Sequence, residues 1–553
     1  MTDIRFSFEG QPVTARNGQS LAAALTDAGH RALRTTAKSA QRGMFCGMGV
    51  CQDCLVNIDG QPNQRACMSP AKEGMTVTRQ VPFPEFTGDA AKVGAPIQLS
   101  PDVLVIGGGA GGLSAAIAAA RAGADVVVMD ERKVSGGQYY KQSADGALLD
   151  GQQREGADLV AAAKSAGVTI LAGVELWGAF DELLFLAQQG ENPIIARPRT
   201  AIVATGAYER PVMVPGWTLP GVMTTGAAQT LWRSYRSLAG KRVAICGSGP
   251  LNLQVAVELA RGGAKVVRLA ERAHHPITQP VRAAMMALSG PSLAIKGLKM
   301  ELALRRLGAT IHNACELVSV AQQNDALAAT FENFDGTQDT IEVDALCMNA
   351  GFEPQNEILR LLGVSMHYDE TMGHLRCETD ENMQTNIPGL YAVGDCKGLG
   401  GAPAACDEGI IAGTHAGAAA GFGDAYDLYG VRRRLAHHRR FQSRLWPLYD
   451  IAPRKVTDLP RETVICRCEE LTLGDICTGL DGKPGHVGTL KRATRVGMGR
   501  CQGRYCGPVA ARMVAETTGT PVENLSFFAP RVPIKPVAIS SILAAEEAVN
   551  AKD

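Results

Sequence analysis

The chain has 553 residues, of which 46% are hydrophobic and 20% are charged, so it has the composition of an ordinary globular protein with several domains. Its 55 basic and 55 acidic residues balance, which leaves no net charge to attract nucleic acid or an anionic bilayer. No apolar run is long enough to span a membrane, and the first ten residues lack the pattern of a secretory signal, so we expect a cytoplasmic protein.

The N-terminal residues are predicted to form a strand, a turn, a second strand and a helix that begins after Ser20 and ends near Gly29. A glycine-rich loop follows, and it carries a first tetrad of cysteines, Cys46, Cys51, Cys54 and Cys67. The Cys-x4-Cys-x2-Cys spacing is the one with which plant-type ferredoxins hold a 2Fe–2S cluster. A structural zinc site is the alternative, although zinc sites favour paired Cys-x2-Cys units. Residues 81–101 are rich in proline and glycine and are predicted to be a linker that forms neither helix nor central strand.

The next segment predicts a nucleotide-binding βαβ unit. An apolar strand at 102–106 leads into a Gly-x-Gly-x-x-Gly fingerprint formed by Gly107, Gly109 and Gly112, and an alanine-rich helix and a second strand follow. The first glycine permits a tight turn, the second lets the backbone approach a pyrophosphate, and the third allows close packing of the helix. Asp130, at the end of the second strand, is expected to accept the ribose hydroxyls, and Glu131 is the alternative acceptor.

With four further segments, the chain resembles the glutathione-reductase-like flavoproteins, which have two dinucleotide-binding domains. The segments contain Gly137 and Gln138, Thr205 and Gly206, the AGFEP sequence near 350, and Gly394 and Asp395 in TNIPGLYAVGD. The resemblance implies bound FAD. It also implies that Asp395 binds the ribityl chain and that Gly401 and Ala402 begin a helix whose N-terminus points at the flavin.

A second nucleotide-binding fold is predicted from Lys241 onward. Its fingerprint keeps Gly247 and Gly249 but has Asn252 in place of the third glycine, so we expect the helix to stand slightly farther from the strand. Glu271 ends the next strand and could accept a ribose 2′-hydroxyl, which favours NAD over NADP. Another adenine nucleotide, or a fold that has lost its ligand, is the alternative.

A second tetrad of cysteines lies near the C-terminus: Cys466, Cys468, Cys501 and Cys506. A helix-rich stretch separates its two pairs, and the spacing alone also accepts a four-thiolate zinc site. A neighbouring flavin and a first cluster make a redox centre the more useful occupant.

Disulfide reductases of this superfamily keep a redox-active cysteine pair near the flavin, and the sequence has no such pair at either expected place. Electrons must therefore leave the flavin by another route, which the two tetrads offer. No residue is assigned as a catalytic acid or base.

Over nearly its whole length the chain resembles the large subunits of heteromeric bacterial amine and amino-acid dehydrogenases. These include opine oxidases, D-hydroxyproline dehydrogenase, hydrogen cyanide synthase and, more distantly, sarcosine oxidase. The resemblance implies an α/β protein in five segments: a β-grasp ferredoxin-like 2Fe–2S domain at 1–92, an FAD-binding domain at 98–235 and 346–455, an inserted NAD or nucleotide domain at 236–345, and a small helical 2Fe–2S domain at 456–553. This last domain is similar to bacterioferritin-associated ferredoxins.

The same resemblance implies an oxidoreductase subunit that acts on CH–NH or CH–NH2 donors. A partner flavoprotein subunit, similar to amine and amino-acid oxidases, would oxidise the C–N bond to an imine, and this chain would pass electrons from FAD through two 2Fe–2S clusters to a downstream acceptor. NAD or another adenine nucleotide, and FMN at a subunit interface, are further cofactor candidates. The alternative functions are a self-contained NAD(P)H-dependent reductase and a mainly structural partner; the two complete cysteine sets argue against the latter.

Overall fold

The computed structural model describes residues 3–85, 93–423, 426–450, 454–480 and 485–550. The N-terminal module is a five-stranded mixed sheet with a helix against it. In sheet order its strands are Gln11–Arg16, Asp3–Phe8, Thr76–Arg79, Leu55–Ile58 and Gln61–Arg65, and a separate pair is formed by Arg34–Thr35 and Gln41–Arg42. The predicted helix is confirmed as Leu21–Asp27, because Ser20 Oγ accepts the Ala23 N–H at its start and Gly29, with φ +84°, follows its end.

The first nucleotide-binding unit is a five-stranded parallel sheet. In sheet order its strands are Thr169–Ala172, Val126–Asp130, Val103–Ile106, Thr200–Val203 and Leu390–Ala392. The helices of this unit are Ala110–Arg121, Gly151–Ser165 and Gly401–Ala419. Every residue of Val103–Ile106 is buried, as expected for the centre of a parallel sheet covered on both faces.

A four-stranded sheet packs beside this unit, in the order Val174–Phe180, Leu184–Gln189, Asn192–Ala196 and Ile97–Leu99. The last of these strands lies in the predicted linker and pairs in parallel with Asn192–Ala196. It occupies the sheet edge directly after Pro96, a place where proline is tolerated because no ladder hydrogen bond is lost. As predicted, the described part of the linker forms no helix and no central strand, but the edge strand was not predicted; residues 86–92 lie outside the described residues.

The second nucleotide-binding unit is also a parallel sheet, in the order Val222–Thr224, Ala345–Asn349, Arg242–Gly247, Lys265–Glu271 and Thr310–Asn313. An antiparallel sheet of Cys315–Gln323, Ala326–Asn333 and Gln338–Val343 adjoins it. The helices of the second nucleotide-binding unit are Thr225–Tyr235, Pro250–Arg261, Pro280–Ser289 and Pro291–Arg306. The strand at 222–224 pairs with this sheet although it precedes residue 236, where we predicted the inserted domain to begin.

The remaining elements complete the flavin-binding unit and form the C-terminal module. The former comprise the strands Ala207–Glu209, Phe352–Pro354, Met366–Asp369 and His374–Cys377 and the helices Glu357–Leu361 and Leu428–Leu445. The C-terminal module has the strands Val464–Cys466 and Leu471–Thr472 and the helices Leu473–Leu480, Val487–Thr494, Gly507–Thr518 and Ile539–Asn550. Two of these helices lie between Cys468 and Cys501, which confirms the predicted helix-rich stretch. No helix among the described residues has the length and apolar character needed to cross a bilayer.

One hydrophobic core joins parts of the molecule that are far apart in sequence. It contains Phe45 from the first cysteine loop, Phe331 from the second nucleotide-binding unit and Ile465 from the C-terminal module, all completely buried. Members of both cysteine tetrads belong to the same core. The two ends of the chain are therefore packed against each other, with the second nucleotide-binding unit beneath them.

Candidate functional site

A cavity of about 760 Å³ runs between the two nucleotide-binding units. Most of the predicted cofactor-binding residues line it: Gly107, Gly109, Asp130, Glu131, Gly137, Gln138, Thr205, Gly206, Gly249, Glu271, Gly394, Asp395, Gly401 and Ala402. Gly112 and Gly247, the other two predicted residues, are not among the lining residues. The volume lies within the range of cofactor sites, and the fingerprints of both units open into this one space.

Two glycines of the first fingerprint, Gly107 and Gly112, are packed so closely that they cannot carry side chains, whereas a Cβ on Gly109 would be in ordinary contact at 3.8 Å. A Cβ on Gly107 would lie 2.4 Å from the Ala204 carbonyl oxygen, and a Cβ on Gly112 would lie 1.9 Å from the Gly107 oxygen. A Cβ on Gly137, in the Gly-Gly-Gln turn, would lie 2.8 Å from the Gly109 Cα. The glycines therefore bring the N-terminus of helix Ala110–Arg121 directly onto the cavity, where a pyrophosphate fits.

The two carboxylates at the end of strand Val126–Asp130 differ in what they already bind. Asp130 Oδ1 accepts the Arg132 N–H at 3.1 Å, whereas Oδ2 is buried without a hydrogen-bond partner. Glu131 pairs with Arg65 and Lys535. Burial alone would raise the pKa of Glu131, but Lys535 and Arg65 outweigh it and hold that pKa below its usual range. Asp130 thus keeps a free acceptor for a ribose hydroxyl, while Glu131 is occupied by ion pairs.

The opposite end of the cavity is formed around Asp395. Its Oδ1 accepts the N–H groups of Gly400 and Gly401, both at 3.0 Å, at the start of helix Gly401–Ala419. The helix begins at the residue that the resemblance implied, and burial raises the pKa of Asp395. The Thr205 hydroxyl donates to the Gln355 carbonyl at 2.6 Å. The free acceptor of Asp130, the glycine cradle and this helix N-terminus together fit the ribose, the pyrophosphate and the flavin of FAD.

Three further residues that we did not single out in the sequence also line the cavity: Met48, Lys141 and Arg504. Met48 lies in the first cysteine loop and Arg504 in the second. Their position between the cysteines is the feature of the sequence from which a role near the redox groups could have been predicted. Lys141 is buried and donates to the Gly226 oxygen and to Gln229, and burial lowers its pKa to about 7. Nothing in the sequence marks Lys141.

In the second fingerprint, the carboxylate that was expected to bind a ribose already accepts hydrogen bonds from the protein itself. Glu271 accepts hydrogen bonds from the Ser248 hydroxyl at 2.8 Å and from the N–H groups of Gly249 and Ala273 at 3.0 and 2.9 Å. A ribose hydroxyl would have to share a carboxylate that already holds three donors. Asn252, in place of the third glycine, is buried and its amide donates to the Asn349 oxygen at 3.1 Å.

The first tetrad brings its four thiols together in two hydrogen-bonded pairs, Cys46 with Cys51 and Cys54 with Cys67, and all four are buried. Burial alone would raise the pKa of Cys46. Hydrogen bonds from Cys51 and from the backbone of the loop outweigh burial and lower that pKa to about 6. The loop reaches this shape through Gly47 and Gly49, whose φ values are +62° and +80°. Backbone N–H groups aimed at sulfur suit a thiolate-bound cluster.

The second tetrad has the same pattern, with Cys466 beside Cys506 and Cys468 beside Cys501. The hydrogen bond from Cys506 lowers the pKa of Cys466 to about 7. Across the described residues, no group of three or more His, Cys, Asp or Glu side chains is arranged around a single metal ion. All fifteen cysteines are free thiols.

The buried ion-pair network between the tetrads contains more positive than negative side chains. Three guanidinium groups, those of Arg34, Arg42 and Arg467, pair with only two carboxylates, those of Asp53 and Glu470, and all five side chains are at most 11% exposed. An unpaired buried charge is costly. Thiolate-ligated clusters nearby would supply the missing negative charge, so the charge distribution fits anionic groups at the tetrads.

Comparison with known proteins agrees with this geometry. Residues 101–410 match the pyridine nucleotide-disulphide oxidoreductase family, residues 1–82 match the 2Fe-2S iron-sulfur cluster binding domain, and residues 462–547 match the sarcosine oxidase A3 domain. The L-proline dehydrogenase of P. horikoshii shares the fold over 98% of this chain and 97% of its own, with a TM-score of 0.74 and 20% identity. The predicted fold class is confirmed.

Three relatives show where the chain belongs. The A subunit of opine oxidase from Rhizobium meliloti is 31% identical over 80% of this chain and 98% of the relative. The HcnB subunit of hydrogen cyanide synthase from Pseudomonas aeruginosa is 28% identical over 79% and 97%, and the alpha subunit of sarcosine oxidase from Rhizobium meliloti is 24% identical over 93% and 55%. The resemblance stated from the sequence is confirmed. The chain belongs to the pyridine nucleotide-disulphide oxidoreductase family and to the family of the opine oxidase A subunit, and it is an FAD-binding oxidoreductase with an N-terminal 2Fe–2S domain.

Proposed function

We propose that this chain is the electron-transferring FAD and iron–sulfur subunit of a heteromeric dehydrogenase or oxidase that acts on CH–NH or CH–NH2 donors. A partner subunit resembling amine and amino-acid oxidases oxidises the C–N bond of an amino acid, an opine or a related secondary amine to an imine. This chain then passes the electrons to a downstream acceptor. The relatives named as subunits of opine oxidase, hydrogen cyanide synthase and sarcosine oxidase support the proposal.

The observation that carries the proposal is that both cysteine loops reach the FAD cavity. Met48 extends from the first loop and Arg504 from the second, and both line the cavity. Members of both tetrads share one apolar core in which Phe45 is completely buried and Tyr505 is 6% exposed. Redox groups at these positions are close to one another and shielded from water, as a relay requires.

The residues of the chain hold and shield these groups. When bound, FAD accepts electrons in pairs and a 2Fe–2S cluster carries them singly. The fingerprint loop and helix Ala110–Arg121 bind the pyrophosphate, Asp130 binds the ribose, and Asp395 fixes the helix N-terminus that faces the flavin. Each tetrad supplies four thiolates. The domain boundaries and site residues predicted from the sequence are part of this proposal.

Three further cofactors and a cellular location belong to the same proposal. The second tetrad holds a second 2Fe–2S cluster, supported by its paired thiols and by the surplus positive charge beside it. NAD or another adenine nucleotide occupies the second fingerprint, supported by Gly249 and Glu271 facing the cavity, and FMN lies at the interface with the partner subunit. The protein acts in the cytoplasm.

Iron and acid-labile sulfide analysis of protein purified without oxygen tests the proposal. We expect about four iron atoms and about four sulfides per FAD, because each 2Fe–2S cluster contains two of each. Cys51→Ser and Cys501→Ser should each remove about half of the iron, and Cys477→Ser, outside both tetrads, should remove none. About two iron atoms per FAD, unchanged by Cys501→Ser, would contradict a cluster at the second tetrad.

The self-contained NAD(P)H-dependent reductase is the second candidate, because Gly249 and Glu271 face the same cavity as the FAD residues. Anaerobic mixing of the purified chain with NADH distinguishes the two functions. Rapid bleaching of the flavin absorbance would favour the reductase. For the subunit function we expect no bleaching by NADH, and reduction by opines, proline derivatives or glycine only when the co-purified partner is present.

A further inference from the structure

A buried ion pair connects the two cysteine loops. Asp53 lies between the second and third cysteines of the first tetrad, and Arg467 lies between the first two cysteines of the second. The Arg467 Nε donates to Asp53 Oδ2 at 2.5 Å, across 414 residues of sequence. Arg34 occupies the other carboxylate oxygen at 2.6 Å. The side chains of Asp53 and Arg467 are 1% and 5% exposed, so the pair is sealed from solvent.

Aromatic rings fix the geometry of this ion pair. The Arg467 guanidinium lies 4.0 Å from the centroid of the Phe45 ring and 4.6 Å from that of Trp217, and it also donates to the Trp217 carbonyl at 3.2 Å. Phe45 and Tyr505 each directly precede a cysteine of one tetrad, and their rings are 5.5 Å apart in an edge-on arrangement. A second contact thus links residues adjacent to the cysteines of both loops.

The ion pair places one charge directly beside the thiols of each tetrad. Asp53 directly precedes Cys54 in the first loop, and Arg467 lies between Cys466 and Cys468 in the second. In a buried setting a charge this close to two redox groups influences both, because solvent screening is weak.

We propose that Asp53 and Arg467 are positioning residues that join the two tetrads into one electron-transfer unit, holding the two cluster loops together and setting the reduction potentials of both clusters. The inference rests on the proposed function, since it requires a cluster at each tetrad. With a cluster held at each tetrad, a single electron would pass from one cluster, which would be oxidised, to the other, which would be reduced. No bond would form or break and no proton would move.

Redox titration of the anaerobically purified full chain, followed by low-temperature electron paramagnetic resonance, tests the inference. Asp53→Asn removes a negative charge next to both clusters and should raise both potentials, whereas Arg467→Met removes a positive charge and should lower both. We expect about a tenfold change in each one-electron equilibrium, which corresponds to about 59 mV. Arg467→Lys keeps the charge and should restore potentials close to those of the wild type.

Two controls separate this role from a purely structural one. Thr36→Val removes the 2.6 Å hydrogen bond from Thr36 to Glu470 across the same contact without changing any charge, and should leave both potentials unchanged. The reduced wild-type protein should show spin–spin interaction between the two clusters. This measurement does not require a variant, so it does not depend on whether a variant folds. Magnetically isolated clusters, or a charge variant that shifts only one potential, would overturn the inference.

The iron content keeps the two proposals distinguishable. A wild-type protein with iron for only one cluster would remove the second cluster from the proposed function and this inference with it, but would leave the subunit an FAD and iron–sulfur protein. Iron for two clusters, combined with potentials that Asp53→Asn and Arg467→Met leave unchanged, would remove the inference alone. Equal shifts in Thr36→Val and Asp53→Asn would assign the effect to loosened packing instead of charge, and would also overturn the inference.

Discussion

Substitution of Gly112 by alanine should release FAD even though alanine is the better helix former. Gly112 lies inside helix Ala110–Arg121, where alanine is favoured over glycine by about 1 kcal/mol. The new Cβ would lie 1.9 Å from the Gly107 carbonyl oxygen, about 1.5 Å closer than ordinary van der Waals contact begins. Both groups are backbone or fixed to it, so the helix and the fingerprint turn must move apart. Overpacking of this kind costs about 1 to 3 kcal/mol or more.

We therefore expect Gly112→Ala to lower the free energy of unfolding by about 1 to 3 kcal/mol and to weaken FAD binding at least about tenfold. Urea denaturation measures the first effect, and titration of the apoprotein with FAD, followed by flavin fluorescence, measures the second. Gly430→Ala is the matched control, because Gly430 lies in helix Leu428–Leu445 with nothing within 4 Å of the added Cβ. It should be neutral or stabilising by at most about 1 kcal/mol, with FAD binding unchanged. If both variants behave alike, the close approach of helix and turn is not what holds the cofactor.

Three other predictions concern the carboxylates and the buried lysine of the cavity. Asp130→Ala should weaken FAD binding roughly 10- to 150-fold, the equivalent of one charged hydrogen bond of about 1.5 to 3 kcal/mol, in the same fluorescence titration. Glu131→Gln should leave FAD binding nearly unchanged but lower the free energy of unfolding by about 3 kcal/mol, because Lys535 loses its carboxylate partner and Arg65 keeps only Glu175. Burial lowers the pKa of Lys141 to about 7, whereas an unfolded chain keeps it near its usual value of about 10.4, so the unfolded state binds the extra proton between these values. The free energy of unfolding should then rise with pH from about 7 to about 10 by up to about 1.4 kcal/mol per pH unit from this group, and Lys141→Met should flatten the rise in denaturation curves measured across that range. A Lys141→Met protein with the wild-type pH dependence would contradict the low pKa.

The features that could be predicted from the sequence are those set by neighbouring residues. The helix after Ser20 has its cap within three positions, and the fingerprint at 107–112 has its strand, turn and helix in one continuous stretch. The spacing of Cys46, Cys51 and Cys54 is likewise local. Such signals survive without knowledge of the rest of the fold because each partner lies within a few residues in the chain.

The features that could not be predicted depend on distant partners. The choice between Asp130 and Glu131 turns on Lys535, which follows Glu131 by 404 residues, and no local pattern reveals that pairing. The strand Ile97–Leu99 forms because it pairs with Asn192–Ala196, which comes much later in the chain. The composition of the segment alone cannot reveal that partner and indicates only a linker. The meeting of Asp53 with Arg467 is a third case, and it matters most for function.

That meeting holds together two cysteine loops that lie more than 400 residues apart in the chain: Arg467 follows Asp53 by 414 residues. A buried ion pair adds little net stability by itself, since desolvation offsets most of the attraction, but it enforces one geometry because any shift leaves a charge unpaired. Here the apolar core around Trp217 supplies the stability, and Asp53 and Arg467 supply the register between the loops. A relay for single electrons needs that register, because a fixed separation between its redox groups is what keeps transfer directed along one route.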